Sequence, residues 1–294
     1  MKLGFIGLGN MGLPMAINLV KANYETFGIN RSKGKEMTFA ENGGKIGKSV
    51  AELAKEADVI MTCLPLPDDV ENIYFSKDGI LPNGKEGLTL IDFSTVSPDL
   101  NEKIYEAAKK KGIGFLDAPI SGGNEGARLG TLSIMVGGDR EVFNKVYPIF
   151  EVLGKNIYHT GKVGNGTIFK LINQYMVSVH TQAVSEALFL AEKMGIELEN
   201  LFEILNNSYA QSRIFERHFK YISKNEYEPG FALNLLYKDM SLVQQMAENN
   251  NIKLPAGELV NKMLESAKES DYQNDDMSAH YLFFKEKSNV ELVK

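Results

Sequence analysis

An α/β fold, in which a parallel, doubly wound sheet is followed by an all-helical domain, is predicted by three features of this sequence. From Met1 to about residue 162, strand-length apolar runs alternate with amphipathic stretches: KLGFI, YETFGI, VIMTCL, LTLIDF, IGFLDA, LSIMVGG and IYHT are the runs. Such alternation makes each helix a crossover between parallel strands. The first run leads straight into Gly7, Gly9 and Gly12, and that spacing after a strand opens a Rossmann-type βαβ unit. Past Gly161 the strand runs stop and helical periodicity takes over. Two domains are expected, residues 1–162 and 163–294, joined by one long helix that Thr167 to Met194 can form.

Each glycine of the opening loop has its own task. Gly7 allows the tight turn out of the strand Lys2–Ile6, Gly9 lets the backbone approach a pyrophosphate, and Gly12 lets the helix Met11–Val20 pack close to that strand. Leu8, Asn10 and Met11 complete the loop, and unpaired N–H groups at the helix start favour the negative charge of a dinucleotide. The second strand, Glu25–Ile29, ends in Asn30, Arg31 and Ser32. An acid there would bind a ribose hydroxyl, whereas an Arg with small polar neighbours accommodates a 2′-phosphate. The expected cofactor is therefore NADP in preference to NAD, and Glu25 stands at the wrong end of the strand to change this.

Ligands of open α/β sheets bind beyond the carboxyl ends of the strands, which selects the residues ending each later run. Leu64 and Pro65 close VIMTCL, Ser94 and Thr95 follow LTLIDF, and DAPISGG, Asp117–Gly123, ends the fifth run. The Ser121 hydroxyl and the N–H groups of Gly122 and Gly123 can cradle a carboxylate. In the long helix Ile168, Leu171, Ile172, Tyr175 and Val179 recur at helical spacing and are expected as one buried stripe, with Lys170, Asn173, Gln174 and Val177 on another face. Reduction of an aldehyde needs a proton for the developing alkoxide, and a lysine tuned by burial can deliver it. Lys170 is the candidate. Lys238 and Asp239, in FALNLLYKDMSLV, are a second pair suited to positioning cofactor and lysine.

Composition narrows the partners. The chain has 294 residues, 44% of them hydrophobic, enough for two cores, and its net charge of −6 leaves no basic footprint for nucleic acid. Lys109, Lys110 and Lys111 read as a solvated helix end. No apolar run is long enough for a membrane span or arranged as a secretory segment. With a single cysteine, this fits the reducing cytoplasm, and Cys63, inside the run Val59–Leu64, reads as a buried inert thiol. His159, His180, His218 and His280 show no metal-ligand spacing, so no metal is expected.

Four strings in order resemble those of the β-hydroxyacid dehydrogenase family, which includes 3-hydroxyisobutyrate dehydrogenases, 2-hydroxy-3-oxopropionate reductases and glyoxylate/succinic semialdehyde reductases. GFIGLGNMGLPMAINL resembles its cofactor motif, DAPISGGNEGARLGTLSIMVGG its substrate motif, GNGTIFKLINQ its catalytic motif and FALNLLYKD its second cofactor motif. The resemblance implies that Lys170 is the acid/base and that Ser121, Gly122 and Gly123 hold a substrate carboxylate. It also implies that Thr95 and Lys238 contact the cofactor, beside Leu64 and Pro65, while Phe231 and Asp239 border the site. Where many members carry Asn-Asn, this chain has Asn173 and Gln174, a form similar to the 2-hydroxy-3-oxopropionate reductases, and the longer amide moves its hydrogen-bonding head. The implied substrate is a small carboxylate-bearing hydroxy acid or semialdehyde; separately, the extra apolar faces of the all-helical C-terminal half suggest a homodimer or homotetramer. Chemistry of the 6-phosphogluconate dehydrogenase kind would want a larger helical domain and a phosphate-binding basic cluster, and imine reductases typically replace the lysine. A non-catalytic nucleotide-binding module is opposed by Lys170 together with an intact DAPISGG.

Overall fold

The computed structural model describes residues 1–291; residues 292–294, the end of the second predicted domain, lie outside the described residues. The chain divides into two compact units, Met1–Lys170 and Leu171 onward. The first follows the predicted alternation: β1 (Lys2–Ile6), α1 (Gly12–Lys21), β2 (Glu25–Ile29), α2 (Lys33–Glu41), α3 (Val50–Glu56), β3 (Val59–Thr62), α4 (Pro67–Phe75), α5 (Ile80–Asn83), β4 (Thr89–Asp92), α6 (Pro98–Lys109) and β5 (Gly114–Asp117). Helix starts are encoded locally. Ser49 and Glu52 form a capping box at α3, and Ser97 followed by Pro98 opens α6. β1 to β5 are parallel in the order β2-β1-β3-β4-β5, with one apolar cluster on each face, so these short strands are buried on both sides.

After β5 the sheet departs from the parallel expectation. β6 (Ile120–Ser121) continues the β5 register along β7 (Leu132–Gly138), and both pair with β7 antiparallel. Pro119 interrupts the ladder because it has no N–H, yet its carbonyl still accepts from Met135 N at 3.1 Å. α7 (Gly123–Leu129) has only 7 residues, about 10 Å of helix, too short to carry the chain back for another parallel strand. β7 itself therefore returns. α8 (Arg140–Leu153) then makes a proper crossover to β8 (Gly154–Gly161), which pairs parallel with β7 through two register shifts. At the opposite edge Lys45 pairs with β2, its N donating to Thr26 O and its O accepting from Gly28 N. Cys63 stands one residue past β3 and is half-buried, where the sequence reading had it inside a strand and fully buried.

α9 (Asn165–Lys193) is the predicted long helix, and α10 (Leu198–Asn206), α11 (Arg213–Ile222), α12 (Leu233–Asn249), α13 (Pro255–Lys268), a 3₁₀ turn at Met277–Ala279 and α14 (His280–Glu291) complete the second unit. Its buried face is not the expected apolar stripe. Leu171, Gln174, Ser178, Thr181, Ser185 and Leu188 are buried, whereas Ile172 is 54% exposed and Ile168, Tyr175 and Val179 are half-buried. Small polar side chains can occupy a core when their hydrogen bonds are met nearby. Ser185 Oγ donates to Thr181 O at 2.9 Å, the buried His218 meets Thr181 Oγ1 at 3.1 Å, and the buried His280 meets Gln182 Oε1 at 2.6 Å. Hydrophobic periodicity alone is blind to such a face.

Candidate active site

In the first unit the candidate residues converge at the carboxyl ends of β1 to β5, where the order reverses between β1 and β3. Gly7 has φ +99°, and a Cβ there would lie 2.3 Å from the Cys63 carbonyl oxygen. A Cβ on Gly12 would lie 1.9 Å from Gly7 O, which is the close helix-to-strand packing expected of it. Around Gly9 nothing lies within 4 Å of an added Cβ. Packing within the chain gives no reason for glycine there; approach by a ligand does. The start of α1, at Met11, has no side-chain cap and no acid in its first turn, leaving N–H donors for a pyrophosphate. These residues fit a dinucleotide.

Asn30 is less free than its position in the sequence indicates. Its Oδ1 accepts from Leu8 N at 3.0 Å, its Nδ2 donates to Ser32 O at 3.2 Å, and its own N donates to Glu36 Oε1 at 2.9 Å. Glu36, in the first turn of α2, is the acid the sequence reading missed. Burial pushes its carboxyl up, but the Asn30 N–H and the Lys33 ammonium at 2.9 Å more than reverse this and hold it below the ordinary carboxylate range. Glu36 thus braces the turn after β2, while Arg31 and Ser32 remain exposed. A first-turn acid seven residues beyond the strand end was the available signal.

Leu64 N donates to Ser94 Oγ at 2.9 Å, and Ser94 N donates to Asp92 Oδ1 at 3.1 Å, which ties the ends of β3 and β4 together; Pro65 is exposed and Thr95 half-buried. Ser121 is half-buried, while Gly122 and Gly123 are exposed at φ +137° and +64°, a left-handed region that suits glycine. Asn124 Nδ2 donates to Asn10 O at 2.6 Å, so the DAPISGG loop and the glycine loop are joined. Lys170, 9% exposed, ends this unit in the second turn of α9.

In the second unit the remaining residues form their own network. Asn173 Nδ2 donates to Gln174 Oε1 at 2.9 Å, Gln174 Nε2 donates to Asp239 Oδ2 at 2.6 Å, and the Lys238 ammonium lies 2.7 Å from Asp239 Oδ1. Gln174 is 3% exposed, and its extra length reaches the α12 carboxylate. Phe231 precedes α12, where its N donates to Asp276 Oδ2 at 3.1 Å; the same buried carboxylate takes both Arg217 terminal nitrogens at 2.8 and 2.6 Å. Among the described residues no group of three or more His, Cys, Asp or Glu gathers as a metal site, and no helix is long and apolar enough to cross a membrane.

Two family models match the chain. One, the NAD binding domain of 6-phosphogluconate dehydrogenase, matches residues 2–161; the other, the NAD-binding of NADP-dependent 3-hydroxyisobutyrate dehydrogenase, matches residues 164–284. The chain is 35% identical over 279 residues to 2-(hydroxymethyl)glutarate dehydrogenase of Eubacterium barkeri, covering 95% of this chain and 93% of that one. It is 38% identical over 255 residues to 2-hydroxy-3-oxopropionate reductase of Escherichia coli K12, covering 87% of each. Among solved structures, 3-hydroxyisobutyrate dehydrogenase of Mycobacterium tuberculosis with L-serine gives a TM-score of 0.87 at 30% identity, covering 97% of this chain and 99% of that one.

Proposed function

This chain belongs to the β-hydroxyacid dehydrogenase family, and from that premise we propose that it interconverts a small 3-hydroxy acid and its semialdehyde, in the manner of a 2-hydroxy-3-oxopropionate reductase or a 3-hydroxyisobutyrate dehydrogenase. It is an NAD(P)-dependent oxidoreductase acting on CH–OH groups. The bound nicotinamide cofactor supplies the hydride chemistry, and the chain must bind, orient and move a proton. In this reading Lys170 holds the proton given to the alkoxide oxygen and takes it back in the reverse direction. Ser121, Gly122 and Gly123 orient the substrate through its carboxylate, and Asn173, Gln174, Phe231 and Asp239 line the substrate. Gly7 to Gly12, Asn30 to Ser32, Leu64, Pro65, Thr95 and Lys238 serve the cofactor, with residues 1–162 as its domain and Arg31 favouring NADP.

The observation that carries this reading is Lys170 itself, a lysine 9% exposed on a helix whose first turn is fixed to the sheet; a solvated lysine would need neither feature. Lys170→Ala should keep cofactor affinity and lower kcat by roughly 10² to 10⁴. Wild-type turnover in that variant would refute the assignment. A panel of hydroxy acids and semialdehydes, assayed with both cofactors, then names the substrate. Ile172, Met176 and Leu190 along α9, and Met194 just past its end, leave apolar surface exposed, which supports a homodimer or homotetramer; light scattering during gel filtration measures the assembly.

A further inference from the structure

Among the described residues, three α-helices are capped by a serine of their own sequence. Ser49, Ser97 and Ser212 each accept the N–H three residues on, from Glu52, Leu100 and Phe215. α9 is different. Asp117, at the end of β5, accepts from Gly164 N through Oδ1 at 2.7 Å and from Thr167 N through Oδ2 at 2.8 Å, spanning 47 and 50 residues of chain. A cap drawn from the adjacent loop fixes a helix only to that loop, whereas a cap carried on a strand fixes it to the sheet.

The slot for this carboxylate is built. A Cβ on Gly137 would lie 2.5 Å from Asp117 Oδ1, and one on Gly166 would lie 2.9 Å from Oδ2 and 2.2 Å from Met135 O. A second strut stands beside it, where Asn101 Nδ2 of α6 donates to Thr167 Oγ1 at 2.6 Å, with both residues fully buried. The arrangement is costly. Burial pushes the Asp117 carboxyl up to about 7, and the Thr167 and Gly164 N–H groups offset this only in part. A serine in the preceding loop would cap the helix without burying a charge.

We propose that Asp117 is a positioning residue for proton transfer: by clamping the first turn of α9 to the end of β5, it sets where Lys170, three residues beyond Thr167, is held. The same strand end runs on through Pro119 into Ser121, so one carboxylate ties the lysine helix to the loop that orients the substrate. This rests on Lys170 being the acid/base.

The test is a double-mutant cycle of Asp117→Asn and Lys170→Ala, with folding checked by circular dichroism. Asp117→Asn keeps the size but replaces one acceptor by a donor facing an N–H. It should lower kcat by roughly 10- to 100-fold, the scale of an ångström-level misplacement, with the cofactor Kd within about twofold of wild type. In the Lys170→Ala background it should cost less than about twofold more, because its effect passes through Lys170. Multiplicative losses, or a loss confined to cofactor affinity, overturn the proposal. Wild-type turnover in Lys170→Ala alone overturns the reading beneath it instead. Should Asp117→Asn not fold, amide exchange in the unmodified protein still decides: Gly164 and Thr167 should exchange as slowly as the sheet core, and fast exchange there removes the clamp.

Discussion

Gly9 and Gly12 stand three residues apart in one loop, yet alanine at each should damage a different property. At Gly12 the new Cβ lies 1.9 Å from the Gly7 carbonyl oxygen, and ordinary contact begins at 3.4 Å, so α1 and the turn after β1 must part by about 1.5 Å. Backbone cannot swing aside as a side chain does. Overpacking costs about 1–3 kcal/mol, and the upper end applies here. At roughly 2–4 °C per kcal/mol for a chain of this size, Tm should fall by about 6–12 °C. At Gly9 the Cβ meets nothing within 4 Å and φ is not positive, so Tm should move by no more than about 2 °C. The added methyl instead occupies the approach of the pyrophosphate, and the NADPH Kd should rise at least about tenfold, or 1.4 kcal/mol. Melting without cofactor and titration of nicotinamide fluorescence separate the two. A Gly9→Ala protein that melts as low as Gly12→Ala, or binds NADPH as wild type does, would refute the assignment of the loop.

Cofactor choice is tested at Arg31: wild type should show the higher kcat/KM with NADPH, and Asn30→Asp with Arg31→Ala should invert the ratio, since an aspartate keeps the oxygen that accepts Leu8 N–H while repelling a 2′-phosphate. An unchanged ratio would make Arg31 a solvated bystander. Ser121→Ala should cost about 1.5–3 kcal/mol in kcat/KM for a carboxylate substrate and far less for its uncharged amide; equal losses on both would show that the loop does not read the carboxylate. Burial, joined at His218 by the neighbouring Arg217 cation, holds His218 near about 3 and His280 near about 4 against an ordinary 6.5. The unfolded chain therefore binds more protons, so their stabilisation is full above pH 6.5 and is lost as pH falls toward those values, each adding a slope of about 1.4 kcal/mol per pH unit. His218→Gln should flatten the acid limb of a Tm-against-pH curve, and an unaltered limb would count against the burial argument.

What the sequence made legible was local. The three glycines and the runs that became β1 to β5 each depend on neighbours a few residues away. Asp117 was visible only as the first letter of DAPISGG, because the amides it accepts from lie 47 and 50 residues further on. Gln174 showed in the sequence only as a longer amide beside Asn173, because its tie to Asp239 crosses 65 residues. Ile172 was assigned to the core because apolar periodicity has no means of registering Ser178, Thr181 and Ser185, which are buried with zero exposure. The reversal at β7 hid for a related reason: the runs gave strand identity, but direction depended on how far seven residues of α7 could carry the chain.

An eight-stranded sheet has two rims, and each unpaired rim is a template on which another chain can add a strand. Here neither rim is offered flat. Lys45 takes up β2 backbone bonds while its ammonium, with that of Lys48, lies over the Phe27 ring at 5.5 and 5.1 Å. On the far side β8 departs from its register at Leu132/Ser133 and again at Val136/Gly137, which twists that rim away from a straight ladder. Fibrillar aggregation by strand addition is thereby discouraged at both ends. Deleting residues 43–46 would open β2, and the first consequence would be seen in solubility, before any change in the chemistry.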